Sequence, residues 1–164
     1  MKAILLALEE VGQNPTCLMN YKGKTLLQTQ IEALQSLDIK DIVIVTGSHY
    51  QKIKDLKLED NIKVIPNYLY KTTGTVISLD IALESIDKEP FILVNDGFLP
   101  SKELLESILK YEEDIIGIYE DEMSLLKITK QVKLLHSYLV LTDKTKNIEE
   151  VIYSIKLTTI SLEA

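Results

Sequence analysis

The chain contains no arginine: all 18 of its basic residues are lysine, so no planar guanidinium fork is available to grip a phosphate through two parallel hydrogen bonds. Positive charge is not in excess either. Twenty-five acidic residues set a formal net charge of −7, which argues against nucleic acid and against a membrane surface as partners, because both are held by clustered cations. A lone cysteine, Cys17, cannot close an internal disulfide, and no Cys/His grouping has the spacing of a zinc site. A reducing compartment fits. No uninterrupted apolar run approaches the ~20 residues of a membrane span. Residues 1–8 begin apolar, but Glu9 and Glu10 follow at once, where a signal peptide needs its apolar core and small-residue cleavage site. The expected address is the cytoplasm.

What is present is ordinary globular composition, 46% hydrophobic and 26% charged over 164 residues, which suits one domain spanning the whole chain. Short β-rich runs alternate with amphipathic stretches, the pattern of a parallel sheet flanked by helices. The first strand is expected over residues 2–7. A polar, turn-prone stretch over 9–24 follows, and Thr25 with Gln28 then reads as a capping box for a helix whose face carries Leu27, Ile31 and Leu34. Residues 41–46 form an apolar strand. Ser48 with Gln51 reads as the cap of a lysine-rich helix bearing Ile53 and Leu56, and a third strand is expected over 61–65. A loop over 66–74 leads to a helix with Val76, Leu79, Leu83 and Ile86 on its apolar face. Pro90 closes it before a strand over 91–95, and Ser101 opens a helix with Leu104, Leu105, Ile108 and Leu109. Beyond residue 112, strands are expected over 115–119, 125–129 and 134–142. A helix capped by Asn147 and Glu150 runs through Ile155, with a strand-like end over 157–162.

Five segments carry a resemblance: KAILLA (2–7), PTCLMNYKGKTLL (15–27), QIEALQSLDIKDIVIVTG (30–47), TGTVISLDIA (73–82) and FILVNDG (91–97). In order and rough spacing they resemble sugar-phosphate and choline-phosphate nucleotidyltransferases, over about residues 1–110. The resemblance implies a Rossmann-like three-layer α/β/α sandwich with a mostly parallel sheet. It also implies a reaction that joins a nucleoside triphosphate to a phosphorylated sugar or alcohol, releases pyrophosphate and uses Mg²⁺. The partner it implies is a nucleotide, either the triphosphate or a nucleotide-sugar.

Such chemistry brings polyanions together, so it depends on backbone N–H groups, cations and a metal to neutralise charge. The family's glycine-rich, arginine-ended phosphate loop corresponds here to LEEVGQN (8–14), with one glycine and two carboxylates that repel a triphosphate. It also reads as a plain acidic turn. Where the family has Pro-Lys, this chain has Pro15-Thr16, a hydrogen-bond donor without charge. Lys22 or Lys24 is the candidate catalytic substitute, although Lys22-Gly23-Lys24 equally reads as a solvated turn. The family's Gly-Asp metal motif becomes Asp96-Gly97, which in extended backbone would send the carboxylate to the other face of the sheet. A loop there would re-aim it, so Asp96 is the candidate catalytic carboxylate and Mg²⁺ ligand, with Asp121 and Asp143 as guesses for a second. On the nucleoside side, Thr73, Gly74 and Thr75 match the segment that lies against the base, with Lys71 as the nearest cation for a phosphate and Asn67, Tyr68 and Tyr70 as walls. The competing reading makes Thr75 a helix N-cap. His49 reads as a helix-entry residue and His136 as structural.

Three functions follow as expectations. The chain is a diverged nucleotidyltransferase impaired in transfer, which binds a nucleotide or serves as a regulatory module for a protein partner. Alternatively it is an active Mg²⁺-dependent enzyme with a rebuilt site, or it completes its site as a homo-oligomer.

Overall fold

A computed structural model of the chain describes residues 1–86, 89–110, 115–119 and 122–128. The elements expected over 134–142, 147–155 and 157–162, with His136, Asp121 and Asp143, lie outside the described residues.

The first strand, β1 (Lys2–Ala7), is buried along all but its first residue. Ala3, Leu5 and Ala7 face one hydrophobic cluster while Ile4 and Leu6 face the other. A strand with apolar side chains in both directions belongs in the middle of a sheet covered on both faces. Two small hairpins follow where the sequence suggested an irregular polar stretch. In the first, β2 (Glu10–Val11) pairs antiparallel with β3 (Asn14–Pro15), with Gly12 at φ 66° in the turn. In the second, β4 (Asn20–Tyr21) pairs with β5 (Lys24–Thr25). Lys22 and Gly23 turn that chain at φ 50° and 87°, the left-handed pair that tight hairpins favour. A single 3-10 turn, Thr16–Leu18, lies between the hairpins and drops Thr16 and Cys17 into the interior.

The helix α1 (Leu26–Gln35) begins as expected, with the Thr25 hydroxyl accepting from the Gln28 N–H and the Gln28 side chain accepting from the Thr25 N–H. Next come β6 (Ile42–Thr46), α2 (Tyr50–Lys54), β7 (Ile62–Pro66), α3 (Tyr70–Leu83), β8 (Phe91–Asn95) and α4 (Lys102–Leu109). Ser101 caps α4 through the Leu104 N–H at 3.1 Å. The last described elements are β9 (Ile115–Tyr119) and β10 (Glu122–Ile128), the latter starting three residues before the expected strand.

Two expectations about helix starts need correction. Ser48 does not cap α2, whose N-cap is His49 without a side-chain bond, because the Ser48 hydroxyl donates to Glu10 instead. Thr75 does not cap α3, which begins five residues earlier. Asn67 starts the turn: its side-chain oxygen accepts from the Leu69 N–H at 2.9 Å and its carbonyl accepts from the Tyr70 N–H at 3.3 Å. The ends differ too, since Leu56 lies past α2 and is exposed, and Ile86 packs into the core from the turn after α3.

Six strands form one sheet in the order β7-β6-β1-β8-β10-β9. The pairings from β7 through β8 are parallel, and β10 joins antiparallel to both β8 and β9. Leu27, Ile31 and Leu34 of α1, Ile53 of α2 and Leu105 and Ile108 of α4 cover one face. Leu79 and Ala82 of α3 cover the other, with Val76 and Leu83 packed beside them. The result is the expected three-layer Rossmann-like sandwich with a mostly parallel sheet. Because the chain runs outward from β1 through β6 to β7 and returns through α3 to β8, the direction of winding reverses beside β1. A crevice forms beyond the carboxyl ends of strands at such a point.

Gln30 fastens one wall of that crevice. It is 3% exposed, and its amide donates to the carbonyls of Asn95 and Phe98 at 3.2 and 2.6 Å, which ties α1 to the loop after β8. Replacing it with leucine keeps the volume and strands both carbonyls. Urea denaturation of Gln30→Leu should show a loss of about 1–3 kcal/mol.

Candidate functional site

The crevice is lined by three turns: the one after β1, the one after β6 and the one after β8. Asp96 leaves β8 in a turn, and that turn re-aims its carboxylate toward the end of β1. Its Oδ2 accepts from the Glu9 N–H at 2.9 Å and its Oδ1 from the Gly97 N–H at 3.0 Å. A carboxylate therefore sits on the loop amides that a phosphate would need. Gly97 stands at φ 74°, a backbone shape natural to glycine, and a Cβ there would lie 3.6 Å from Thr16 Cγ2 and 3.9 Å from Glu9 Oε2. Glu9, Thr16, Asp96 and Gly97 are thus one cluster. Burial first of all, and the Glu9 charge besides, push the Asp96 carboxyl up to about 6 against the pull of its amide donors. Cys17, 1% exposed beneath, has its thiol pushed up to about 12, mainly by burial and then by the Asp96 charge, so it is inert as a nucleophile.

Glu10 turns the other way, as consecutive side chains of extended backbone do. Its Oε1 accepts hydrogen bonds from the Ser48 and Tyr70 hydroxyls and lies 3.7 Å from His49 Nε2. These bonds, Ser48's first, together with the charges of Lys71 and His49, hold its carboxyl below the ordinary glutamate range despite some desolvation. Lys71 Nζ stands 5.6 Å from the centre of the Tyr70 ring. Its ammonium is held above the ordinary lysine range by Tyr70 first and then by Glu10. The ring itself is fixed by Gly47: a Cβ at that position would meet three of its carbons at 2.9 Å. Only glycine lets Tyr70 lie there.

The structure brings some of the sequence candidates together and sends others elsewhere. Asp96 lies against the start of the loop after β1, and Lys71 lies over the ring of Tyr70, which bonds Glu10 of that loop. Lys24 is committed to Glu32 of α1, its ammonium 2.9 and 2.7 Å from the two carboxylate oxygens, and Lys22 is exposed over the Tyr21 ring at 5.1 Å. Thr73, Gly74 and Thr75 lie inside α3 rather than ahead of it. The Thr73 hydroxyl donates to the Leu69 carbonyl at 2.9 Å and accepts from the Asn67 amide at 3.2 Å. Buried Asn67 also donates to Ser78 at 2.9 Å, so it organises the helix start. Tyr68 is 78% exposed and walls nothing among the described residues. Sequence reasoning missed the grip of Ser48 and Tyr70 on Glu10. The one available signal was Gly47 beside two polar residues at a strand end.

Among the described residues, no three His, Cys, Asp or Glu side chains are grouped to hold a metal ion. Asp96 and Glu9 are the carboxylates there that would hold a divalent cation, and Mg²⁺ is commonly bound by one or two carboxylates with waters and substrate phosphates completing its shell. The Thr16 hydroxyl, the Asn95 amide oxygen and His49 Nε2 are buried without a hydrogen-bond partner among the described residues.

The fold is that of a doubly wound α/β protein, with its winding reversal beside β1. The model of the MobA-like NTP transferase domain matches residues 10–132, most of the chain, which therefore belongs to that family. The chain is similar in structure to the inositol-1-phosphate CTP transferase from T. maritima, with TM-score 0.68 and 17% identity over 99% of this chain and 82% of that one. The CTP:phosphocholine cytidylyltransferase from Streptococcus pneumoniae gives TM-score 0.56 and 16% identity over 98% and 78%. Rv0371c from Mycobacterium tuberculosis H37Rv, in a complex with manganese, gives TM-score 0.61 and 14% identity over 94% and 97%. At these identities the likeness is one of fold. No curated protein matches the chain. No helix among the described residues is long and apolar enough to cross a membrane.

Two outcomes follow from the site's geometry. Asp96 binds its proton more tightly folded than at its ordinary 3.8, so its contribution to stability is full below about pH 4 and is lost as pH rises through about 6. Between pH 7 and 4, wild type should gain about 1–2 kcal/mol relative to Asp96→Asn, discounted for partial exposure, in denaturation at each pH. Gly47→Ala should cost about 1–3 kcal/mol by displacing Tyr70. The same change in a Tyr70→Ala background should cost clearly less, since the clashing ring is gone.

Proposed function

We propose that the chain binds a nucleotide in this crevice and is impaired in nucleotidyl transfer. The observation that carries the reading is that the anion-receiving groups of the crevice are taken by the chain's own carboxylates: Asp96 on the loop amides and Glu10 on the Ser48 and Tyr70 hydroxyls. Transfer requires that a triphosphate and an attacking phosphate be held together with their charge neutralised. Against that demand the chain has no arginine, a threonine at position 16, Lys24 paired with Glu32, and Lys71 over the Tyr70 ring. Nucleotide binding makes a smaller demand. Buried unpaired atoms on Thr16, Asn95 and His49 offer contacts to a polar ligand, and α3 and the β6 turn supply the second wall.

Two of the related structures are CTP-using enzymes by name, so CTP is the first ligand proposed, with the other triphosphates and nucleotide-sugars after it. A nucleotide-responsive regulatory role toward a protein partner, or within a homo-oligomer, is the consequence proposed for binding without turnover. An active enzyme with a rebuilt site would use Lys22, Lys24 or Lys71 at the phosphate and Asp96 on Mg²⁺; the Lys24–Glu32 pair weighs against Lys24 in that role.

Thermal unfolding with CTP, UTP, ATP and GTP, with and without Mg²⁺, tests this directly. A triphosphate at 100 times its dissociation constant should add about 2.7 kcal/mol of stability, while no pyrophosphate is released with inositol-1-phosphate or phosphocholine. Unchanged melting with all four would end the nucleotide reading. Enzymatic pyrophosphate release that disappears in Asp96→Asn would end the claim of impairment.

A further inference from the structure

Glu10 is held as a bound anion is held. Its carboxylate carries one negative charge into a ring of polar groups from two other parts of the fold: the Ser48 and Tyr70 hydroxyls that donate to it, His49 Nε2 at 3.7 Å, and Lys71 beside the Tyr70 ring. None of those four residues is a sequence neighbour of Glu10. They come together because β6 lies beside β1 and α3 starts after β7, so the pocket is built by the fold and not by the loop that fills it. Gly47 enforces the geometry, since its missing Cβ admits the Tyr70 ring. Glu10 itself is attached by a short tether. It belongs to a hairpin of two residue pairs, Glu10 with Pro15 and Val11 with Asn14, whose tip from Val11 to Asn14 is exposed. Lifting that tip uncovers no core, so a competing anion has to overcome mainly the hydrogen bonds of Glu10 itself.

We propose that Ser48, His49, Tyr70 and Lys71 form an anion-binding pocket whose resident is the Glu10 carboxylate, and that a phosphate group occupies it by displacing Glu10. Glu10 then acts as a tethered competitor, and the affinity of the chain for phosphate is set by the exchange between the two anions. Adjoining charge sharpens the exchange, because Glu9 and Asp96 on the β8 side of the same loop disfavour a second anion while Glu10 remains. The inference draws on the nucleotide reading for one point, the choice of phosphate as the anion class. The pocket stands on its own geometry.

Pyrophosphate, which has no base, is the probe. Isothermal titration of wild type, Glu10→Gln and Glu10→Ala should show tightening in that order, about tenfold or more from wild type to Glu10→Ala, as expected when a bound competitor is removed. Adding Tyr70→Phe or Ser48→Ala to Glu10→Ala should remove most of the gain. Equal affinity in all three proteins, including no measurable binding in any, overturns the proposal and identifies Glu10 as a structural clamp. A gain that survives loss of both hydroxyls overturns it as well, because the anion then binds elsewhere. Should Glu10→Ala not fold, Glu10→Gln, which keeps shape and one acceptor, carries the same comparison. Because the probe lacks a nucleoside, these results are separable from the triphosphate melts: a chain that ignores CTP can still show the exchange, and one that binds CTP can still fail to show it.

Discussion

The loop after β1 is pinned from both sides by carboxylates, and the rest of the crevice is arranged around that fact. Asp96 reaches in from β8 to take the Glu9 amide, while Glu10 reaches out to the turn after β6 and the start of α3. Extended backbone makes the division possible, since neighbouring side chains leave it in opposite directions. That loop is a short hairpin with carboxylate contacts supplied by the chain itself.

The core explains why this loop stands where it does. β1 is apolar in both directions and sits between β6 and β8, so whatever follows it emerges at the reversal of winding, with strand ends on either side. Thr16 and Cys17 then plug the floor from the 3-10 turn, and Gln30 holds the β8 loop against α1. Site and scaffold share residues. A change at Gln30 or Gly47 disturbs the crevice through hydrogen bonding or packing without touching a ligand.

Much of the scaffold was legible in the sequence because continuous apolar runs and capping signals are local. KAILLA, IVIVT and FILVN became strands almost to the residue, and Thr25 with Gln28 closed the box expected of them. The helix starts at Ser48 and Thr75 were misjudged for one reason: a hydroxyl suited to capping was already engaged, or the chain had already turned at Asn67, and neither is visible in a local pattern. Asp96 was singled out through the family resemblance, and the turn that aims its carboxylate at the Glu9 amide is the looped one of the two conformations weighed for that residue pair. The partnership of Glu10 with Ser48 and Tyr70 spans 38 and 60 positions. No periodicity encodes such a distance, so only the folded sheet reveals where the Glu10 carboxylate goes.

The absence of arginine and the presence of internal anions belong to one electrostatic solution. A crevice lined with amides and hydroxyls carries donors that cost about 1–3 kcal/mol each when buried and unpaired. Here Asp96 satisfies the Glu9 and Gly97 amides and Glu10 the Ser48 and Tyr70 hydroxyls without any ligand. The cost reappears elsewhere, as the raised proton affinity of Asp96 beside Glu9. An arginine introduced into this loop would find the resident carboxylates first and pair with them.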